Sequence, residues 1–354
     1  MSEYRLAVIS GDGVGPEIAR ESIRVLRALE AATDLRFELI EAPAGAECYK
    51  KTGEALPEET MKICEAADGI IKAPCGSPDL PPGLIEGSVV MRLRQEFDLF
   101  VNMRPIKLYP GLEESSPLKN DRIAKGVDFV IVRENIESLY KGHGGVSEDV
   151  ATDVMIYTKR GVERIVRYAF DLAKQRGRMV TSVDKANVIN CSRFWRGKFE
   201  EMAKQHPEVQ AESMYVDAFT QWIIRDPGRF DVVVVENMFG DIVSDEAGEI
   251  VGSLGMLHSA NFNPETGRCM AEPGHGSAPD IAGRGIVNPI AMILSVKLML
   301  DLFGEGEAAG IVDQAVGKVL SRGYRTRDIA APGQTAVSTG QMGKAIEDEI
   351  RTHK

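Results

Sequence analysis

The sequence predicts an α/β protein built on a largely parallel β-sheet. Short apolar runs alternate with segments of helical periodicity, which is the pattern of strands covered by helices. The unbroken run VVVV at 232–235 is typical of a strand that is buried on both faces of a sheet. At 354 residues the chain is too long for one typical core, so we expect two domains or one large sheet with an insert.

The strands and helices can be placed in order from these patterns. Apolar runs predict strands at residues 5–10, 36–40, 68–73, 97–104, 127–133 and 230–235. Helical periodicity predicts helices at residues 161–176 and 193–205. No glycine- or serine-rich linker divides the chain into two blocks, so two domains would be interleaved.

Composition excludes several classes of protein. The contents of hydrophobic residues, 44%, and charged residues, 27%, are those of an ordinary globular protein. The net charge of −11 argues against a nucleic-acid partner, because phosphate binding needs a basic surface. The N-terminus lacks the pattern of a signal peptide, and no apolar stretch approaches the length of a membrane span. The scattered cysteines predict free thiols in a reducing cytoplasm, and they are Cys48, Cys64, Cys75, Cys191 and Cys269.

The motif GDGVGPE at residues 11–17 lies between a predicted strand and a helix. Its glycines are spaced G-x-G-x-G, whereas the Rossmann dinucleotide-binding turn requires G-x-G-x-x-G. Pro16 and Glu17 are both typical of the first turn of a helix. We therefore expect a tight strand-to-helix turn here, and a cofactor would bind elsewhere.

Three arginines stand at the ends of apolar elements: Arg94, Arg104 and Arg133. Open α/β sheets bind ligands at the carboxyl ends of their strands, and guanidinium groups bind carboxylates in bidentate fashion. The set predicts a site for a dicarboxylate. The alternative for each arginine alone is a solvated surface charge.

Acidic residues form a second candidate site. Asp241 and Asp245 are four residues apart, hence on one face of a helix that follows the VVVV strand, and Asp217 could supply a third oxygen. Carboxylates are the ligands that Mg²⁺ and Mn²⁺ prefer. The alternative is an acidic first helical turn that complements the helix dipole.

Two further residues are candidates for proton transfer. Tyr140 follows the arginine segment RENIESLY, and Lys185 follows a predicted strand in TSVDKANV. Either group can exchange a proton if its surroundings lower its pKa. Taken singly, a tyrosine or lysine in such a place is more often structural than catalytic.

The segment EPGHGSAPDIAGRGIVNP at 272–289 predicts a long loop that can approach a nucleotide closely. Within it, Asp280 can accept hydrogen bonds from both hydroxyls of an adenosine ribose and would repel a 2′-phosphate.

Together these motifs resemble the isocitrate/isopropylmalate dehydrogenase family of metal-dependent β-decarboxylating dehydrogenases. The resemblance covers nearly the whole chain, from GDGVGPE to RTRDI, and includes DKANV, NMFGDIVSDEAG and HGSAPDIAG. It implies two interleaved α/β domains around a large mixed sheet, and not a Rossmann fold. Residues 1–99 and 252–354 would form a large cofactor-binding domain, and residues 100–251 a small domain for substrate binding and dimerisation.

The resemblance also implies roles for single residues. Tyr140 and Lys185 would be catalytic, and Arg94, Arg104 and Arg133 would bind the substrate carboxylates. Mg²⁺ or Mn²⁺ would be bound by Asp217, Asp241 and Asp245. NAD would be bound by His275, Gly276, Ser277, Ala278, Asp280, Ile281 and Asn288. Lys185 and Asp217 would come from a second subunit, so the resemblance implies a homodimer with shared active sites, and a higher oligomer stays open.

The substrate implied is a malate with a substituent at C3. Ser88, Val90 and Met91 precede Arg94, and the apolar side chains, with Val89, would form a wall that favours an alkyl group. Val188 in DKANV would also contact the substrate. The leading candidate is 3-isopropylmalate. The alternative substrates are D-malate or tartrate, then isocitrate or homoisocitrate. The alternative to an enzyme is a non-catalytic regulatory subunit of the same family. An outward-pointing Arg92 would leave the wall apolar.

Overall fold

A single ten-stranded sheet forms the centre of the computed structural model, which describes residues 2–352. The strand order is β2-β1-β3-β12-β11-β4-β5-β10-β8-β9, and β6 and β7 form a separate hairpin. The strands are β1 (Glu3–Ile9), β2 (Arg36–Glu41), β3 (Gly69–Lys72), β4 (Val101–Lys107), β5 (Asp128–Glu134), β6 (Gly144–Val146), β7 (Ala151–Asp153), β8 (Met179–Asp184), β9 (Gln210–Tyr215), β10 (Val232–Val235), β11 (His258–Phe262) and β12 (Cys269–Pro273).

Helices cover this sheet and follow most of its strands. They are α1 (Gly15–Ala32), α2 (Ala46–Thr52), α3 (Glu58–Ala66), α4 (Arg92–Glu96), α5 (Asn120–Ile123), α6 (Lys159–Gln175), α7 (Asn190–Ala203), α8 (Val216–Arg225), α9 (Asn237–Ile250), α10 (Ile290–Leu302), α11 (Gly306–Ser321) and α12 (Thr339–Arg351). A wide π-type helical segment, Glu86–Met91, leads directly into α4.

The α/β class and the large mixed sheet are confirmed. Strands β1, β2, β3 and β12 pair in parallel, and so do β5, β10, β8 and β9. Between these groups, β11 and β4 pair antiparallel with each other and with their outer neighbours. The two parallel groups therefore run in opposite directions, and the carboxyl ends within each group lie at one edge.

The two halves of the sheet come from different parts of the sequence. The five strands on one side belong to residues 1–99 and 252–354, and the five on the other belong to residues 100–251. The apolar helix α10 is buried along nearly its whole length because it packs between β11, β12, α1 and α11.

One predicted strand boundary is wrong. The strand predicted at 97–104 is β4, which begins at Val101. Asp98 has a φ of 48°, a left-handed conformation that breaks the extended chain. Leu99 and Phe100 are buried although they precede the strand, so the apolar run begins earlier than the strand does. All five cysteines are free, as predicted. Among residues 2–352, every helix is too short or too polar to cross a bilayer.

Candidate active site

The carboxyl ends of β5, β10 and β8 bring three groups of candidate residues to one edge of the sheet. Arg133 of β5 pairs in register with Val235 of β10, which pairs with Val183 of β8. Lys185 follows the last of these strands directly, and α9 begins two residues after Val235. The strand pairing thus places the predicted arginine, acidic and lysine motifs at the same edge of the sheet.

The three arginines are buried, so the solvated-charge alternative is wrong for each of them. Arg133 donates to Asp241 at 2.5 Å, and Arg104 lies 3.3 Å from both Asp241 and Asp245. Arg94 lies 3.3 Å from Glu272. Their positions differ from the prediction, because Arg94 lies on α4 and Arg104 lies in the middle of β4 and does not close it.

Asp241 and Asp245 share one face of α9, as predicted. The alternative of an acidic first turn is wrong, since the first turn of α9 contains no acidic residue. Burial favours a higher pKa for Asp241, but the charges of Arg133 and Arg104 outweigh burial and lower that pKa. Burial raises the pKa of Asp245, an effect that Arg104 only moderates.

Asp217 does not join these two carboxylates within one chain. It lies at the start of α8 with an exposed side chain and accepts a hydrogen bond from Lys185 at 2.6 Å, which lowers its pKa. In residues 2–352, no three His, Cys, Asp or Glu side chains come close enough together to hold a metal ion. The carboxylates of Asp241 and Asp245 can serve as two ligands of a hard divalent cation. A third carboxylate ligand would have to come from outside this chain.

Tyr140 lies beside the arginine cluster. Its hydroxyl donates to Asp241 at 3.1 Å, and the guanidinium of Arg133 lies 5.5 Å from its ring centre. Burial first, and the Asp241 charge second, raise the pKa of Tyr140, so the phenol stays protonated at neutral pH. The geometry suits a proton donor.

A buried pair of charges that sequence reasoning missed lies next to Arg94. Lys72, at the end of β3, donates to Glu272 of β12 at 2.6 Å. Burial opposes the charge on Glu272, but Lys72 and Arg94 outweigh it and hold the pKa of Glu272 at about 2. The sequence did contain a signal for this pair, since Lys72 ends an apolar run. A lysine buried in such a place needs an acidic partner.

The predicted cofactor segment lines a cavity of about 710 Å³. We call residues 274–289, between β12 and α10, the cofactor loop. Six of its predicted residues line the cavity: His275, Gly276, Ala278, Asp280, Ile281 and Asn288. Lining residues that the prediction missed include Leu254, Arg284, Arg327 and Asp328. The volume fits part of a dinucleotide, and the buried Nε2 of His275 has no hydrogen-bond partner among the described residues.

The GDGVGPE motif forms the tight turn between β1 and α1, as predicted, and the turn contacts the cofactor loop. Several of its N–H groups already have partners: Asp12 donates to Pro74 O, Val14 donates to Ser277 O and Gly15 donates to Asp12 O. A Cβ added to Gly13 would lie 2.0 Å from Ser277 O, so the close approach requires glycine. Ser277 thus contacts this turn and does not line the cavity. The Asp12 carboxylate accepts three further backbone N–H groups, so the turn is no phosphate site.

The predicted specificity segment is only partly exposed. Val89 is fully buried in the core, so its assignment to the substrate wall is wrong, whereas Ser88, Val90 and Met91 are partly accessible. Arg92 reaches towards Leu56 O and Glu58, which leaves the wall apolar as the prediction requires. Val188 is 66% exposed in the loop after Lys185.

The chain matches known proteins along nearly its whole length. The model of the family "Isocitrate/isopropylmalate dehydrogenase" matches residues 5–346. The chain belongs to this family. The predicted family is therefore confirmed, and because its relatives are decarboxylating dehydrogenases, the chain is an enzyme.

Relatives of similar length share nearly half of its residues. A 3-isopropylmalate dehydrogenase of Thermotoga maritima is 46% identical over 97% of this chain and 98% of its own. One of Mannheimia succiniciproducens is 46% identical over 99% of this chain and 100% of its own. Among solved structures, isocitrate dehydrogenase from Methylococcus capsulatus has a TM-score of 0.88 at 34% identity, covering 99% of this chain and 100% of that one.

Proposed function

We propose that this enzyme oxidises and decarboxylates 3-isopropylmalate, using NAD and Mg²⁺ or Mn²⁺. The observation that carries the proposal is the convergence of three buried arginines, the Asp241–Asp245 pair and Tyr140. Full-length relatives named 3-isopropylmalate dehydrogenase support the choice of substrate.

The arginines would hold the two substrate carboxylates. Arg104 and Arg133 lie against carboxylates on α9, and Arg94 lies against Glu272, so the guanidinium groups are already held in fixed orientations. Such preorganisation lowers the entropy cost of orienting the substrate.

Lys185 and Tyr140 would move the protons. Lys185 would accept the proton of the C2 hydroxyl, and Tyr140 would donate a proton to C3 after CO₂ leaves. The raised pKa of Tyr140 supports the donor role, because the phenol carries its proton at neutral pH.

Asp241 and Asp245 would hold the divalent cation together with Asp217 of a second copy. When bound, the cation would act as a Lewis acid on the substrate oxygens. The exposed Asp217, paired with Lys185 and separate from the other two carboxylates, supports a site that two chains share.

A homodimer would follow from this shared site. Apolar side chains are exposed on the same region of the chain: Val188, Ile224 of α8 and Ile242 of α9. The hairpin of β6 and β7 also exposes Val146 and Val150. Residues 100–251 would then form the domain for substrate binding and dimerisation, and residues 1–99 with 252–354 the cofactor domain.

The cofactor loop would bind NAD, and the bound nicotinamide would supply the acceptor for the hydride of C2. Asp280 lines the cavity and is exposed, so its charge would face the ribose and repel the phosphate of NADP. The rest of the surface that contacts NAD would be formed by His275, Gly276, Ala278, Ile281 and Asn288. Ser277 would support this surface through its contact with Val14.

A panel of substrates tests the proposal. We expect kcat/KM for 3-isopropylmalate to exceed that for D-malate, tartrate, isocitrate and homoisocitrate under identical Mn²⁺ and NAD, and NADP to be a poorer oxidant. Val90→Ala removes two methyl groups from the wall, so kcat/KM for 3-isopropylmalate should fall roughly tenfold while that for D-malate, the internal control, changes little. A tenfold preference for D-malate or tartrate would overturn the choice of substrate.

A further inference from the structure

Glu17, at the start of α1, contacts the cofactor loop through both of its carboxylate oxygens. One oxygen accepts a hydrogen bond from the N–H of Gly283 at 2.5 Å, and the other accepts from the N–H of Gly285 at 3.0 Å. The two glycines flank Arg284 and have φ values of 72° and 64°. The carboxylate therefore fixes the backbone on both sides of one arginine.

Other contacts hold the rest of this segment. Thr339, at the start of α12, donates its N–H to Gly285 O at 2.9 Å and its hydroxyl to Val287 O at 2.7 Å. Val14 donates to Ser277 O at 2.9 Å. The loop is thus attached to the turn before α1 through Val14, to α1 through Glu17 and to α12 through Thr339, and Glu17 makes the attachment nearest to Arg284.

Arg284 is exposed and lines the same cavity as Asp280 and Asp328. Arg327 also lines this cavity, so two guanidinium groups stand against two carboxylates there. A dinucleotide adds the negative charge of its diphosphate. A guanidinium group binds phosphate oxygens in bidentate fashion, and its affinity depends on how well its backbone is fixed.

We propose that Arg284 binds the diphosphate of the cofactor and that Glu17 is a positioning residue which holds Arg284 in place through Gly283 and Gly285. The inference rests on the proposed NAD dependence. It gives the acidic end of GDGVGPE a role in cofactor affinity that is exerted through the backbone of a distant loop.

Binding of NADH, measured by fluorescence titration, tests the proposal without turnover. We expect Glu17→Gln and Arg284→Gln each to raise the Kd for NADH roughly tenfold, since each loses a charge-assisted hydrogen bond. The double variant should show less than the product of the two effects, because Glu17 acts partly through Arg284. The matched control is Glu59→Gln, since Glu59 is an exposed carboxylate in the first turn of α3.

Two further measurements separate positioning from loss of structure. Amide hydrogen exchange in residues 279–288 should quicken in Glu17→Gln and stay unchanged in Glu59→Gln. In steady-state kinetics, KM for NAD should rise while kcat and KM for the hydroxy acid change by less than about twofold. If Glu17→Gln does not fold, Arg284→Gln still tests the contact, because its side chain is exposed.

The outcomes are distinguishable. If wild-type protein binds NADH and both variants bind it equally well, this inference is wrong and the proposed function stands. Equal rises in KM for NAD and for the hydroxy acid would mean general loosening of the fold and would also overturn it. Failure of the wild-type protein to bind NADH would overturn both proposals.

Discussion

Asp241 is the residue on which the charged groups of the site converge. It accepts hydrogen bonds from Arg133 and Tyr140 and lies 3.3 Å from Arg104. Its carboxylate therefore balances the buried guanidinium charges and also orients the phenol that would supply a proton. Replacing Asp241 would disturb both functions, so Tyr140 is the better residue for testing the proton step alone.

Tyr140→Phe should lower kcat by roughly a hundredfold or more, because general acid catalysis contributes about that much, and should change KM little. The measurement is NADH formation with 3-isopropylmalate and Mn²⁺. Tyr109→Phe is the matched control, since it also removes a buried hydroxyl bonded to an aspartate, at 2.6 Å from Asp313. An unchanged kcat in Tyr140→Phe would remove Tyr140 from the proton step.

The position of a single residue was predictable where the spacing within a local motif determines it. The acidic pair on α9 follows from spacing alone, because four residues make one helical turn. The partners of Lys72 and Glu17 were not predictable, because they lie 200 or more positions away in the chain. Such pairings depend on strand order, which no local pattern contains.

The junction between β10 and α9 contains a buried carboxyl group. Glu236 is 1% exposed, and neither of its carboxylate oxygens has a well-formed hydrogen bond within residues 2–352. Burial raises the pKa of Glu236 to about 7, against a smaller opposing effect of Ser192. The folded protein therefore binds a proton that the unfolded chain releases between about pH 4.5 and 7.

The contribution of Glu236 to stability is accordingly present below about pH 4.5 and lost as the pH rises through 7. Glu236→Gln, which is neutral at every pH, should reduce the fall in unfolding free energy between pH 5 and pH 8 by up to about 3 kcal/mol. The measurement is the denaturant midpoint across that range, with the exposed Glu54→Gln as control. Parallel pH curves for wild-type and Glu236→Gln proteins would contradict a protonated Glu236.

Among the elements, those with a strong apolar pattern were predicted well and those formed by polar residues were not. The VVVV strand and the helix at 161–176 match β10 and α6 within two residues at each end. The strands β6 and β7 are short and exposed, so no burial pattern marks them. The π-type segment Glu86–Met91 continues directly into α4. The helix propensities of its residues do not distinguish a π-type turn from an α-helical one, so the sequence did not predict it.

For the whole molecule, shared active sites predict complementation between inactive variants. Lys185→Ala and Tyr140→Phe should each be nearly inactive, and mixed dimers should contain one intact site. Random exchange of subunits should restore activity to about a quarter of the wild-type value. The measurement is NADH formation after unfolding and refolding the two variants together, with mass spectrometry to verify heterodimers. Heterodimers without activity would place Lys185 and Tyr140 of each site in one chain.

The pairing of β3 with β12 has a consequence for synthesis of the protein on the ribosome. Strand β3 is complete once residue 72 emerges, but its neighbour β12 follows 200 residues later, and until then Lys72 has no Glu272 to balance its charge. The nascent chain must therefore carry an unpaired apolar strand edge through most of its translation. Residues 100–251 form a contiguous block that can assemble before β12 is made, so translation pauses anywhere between residues 72 and 273 would prolong exposure of that edge.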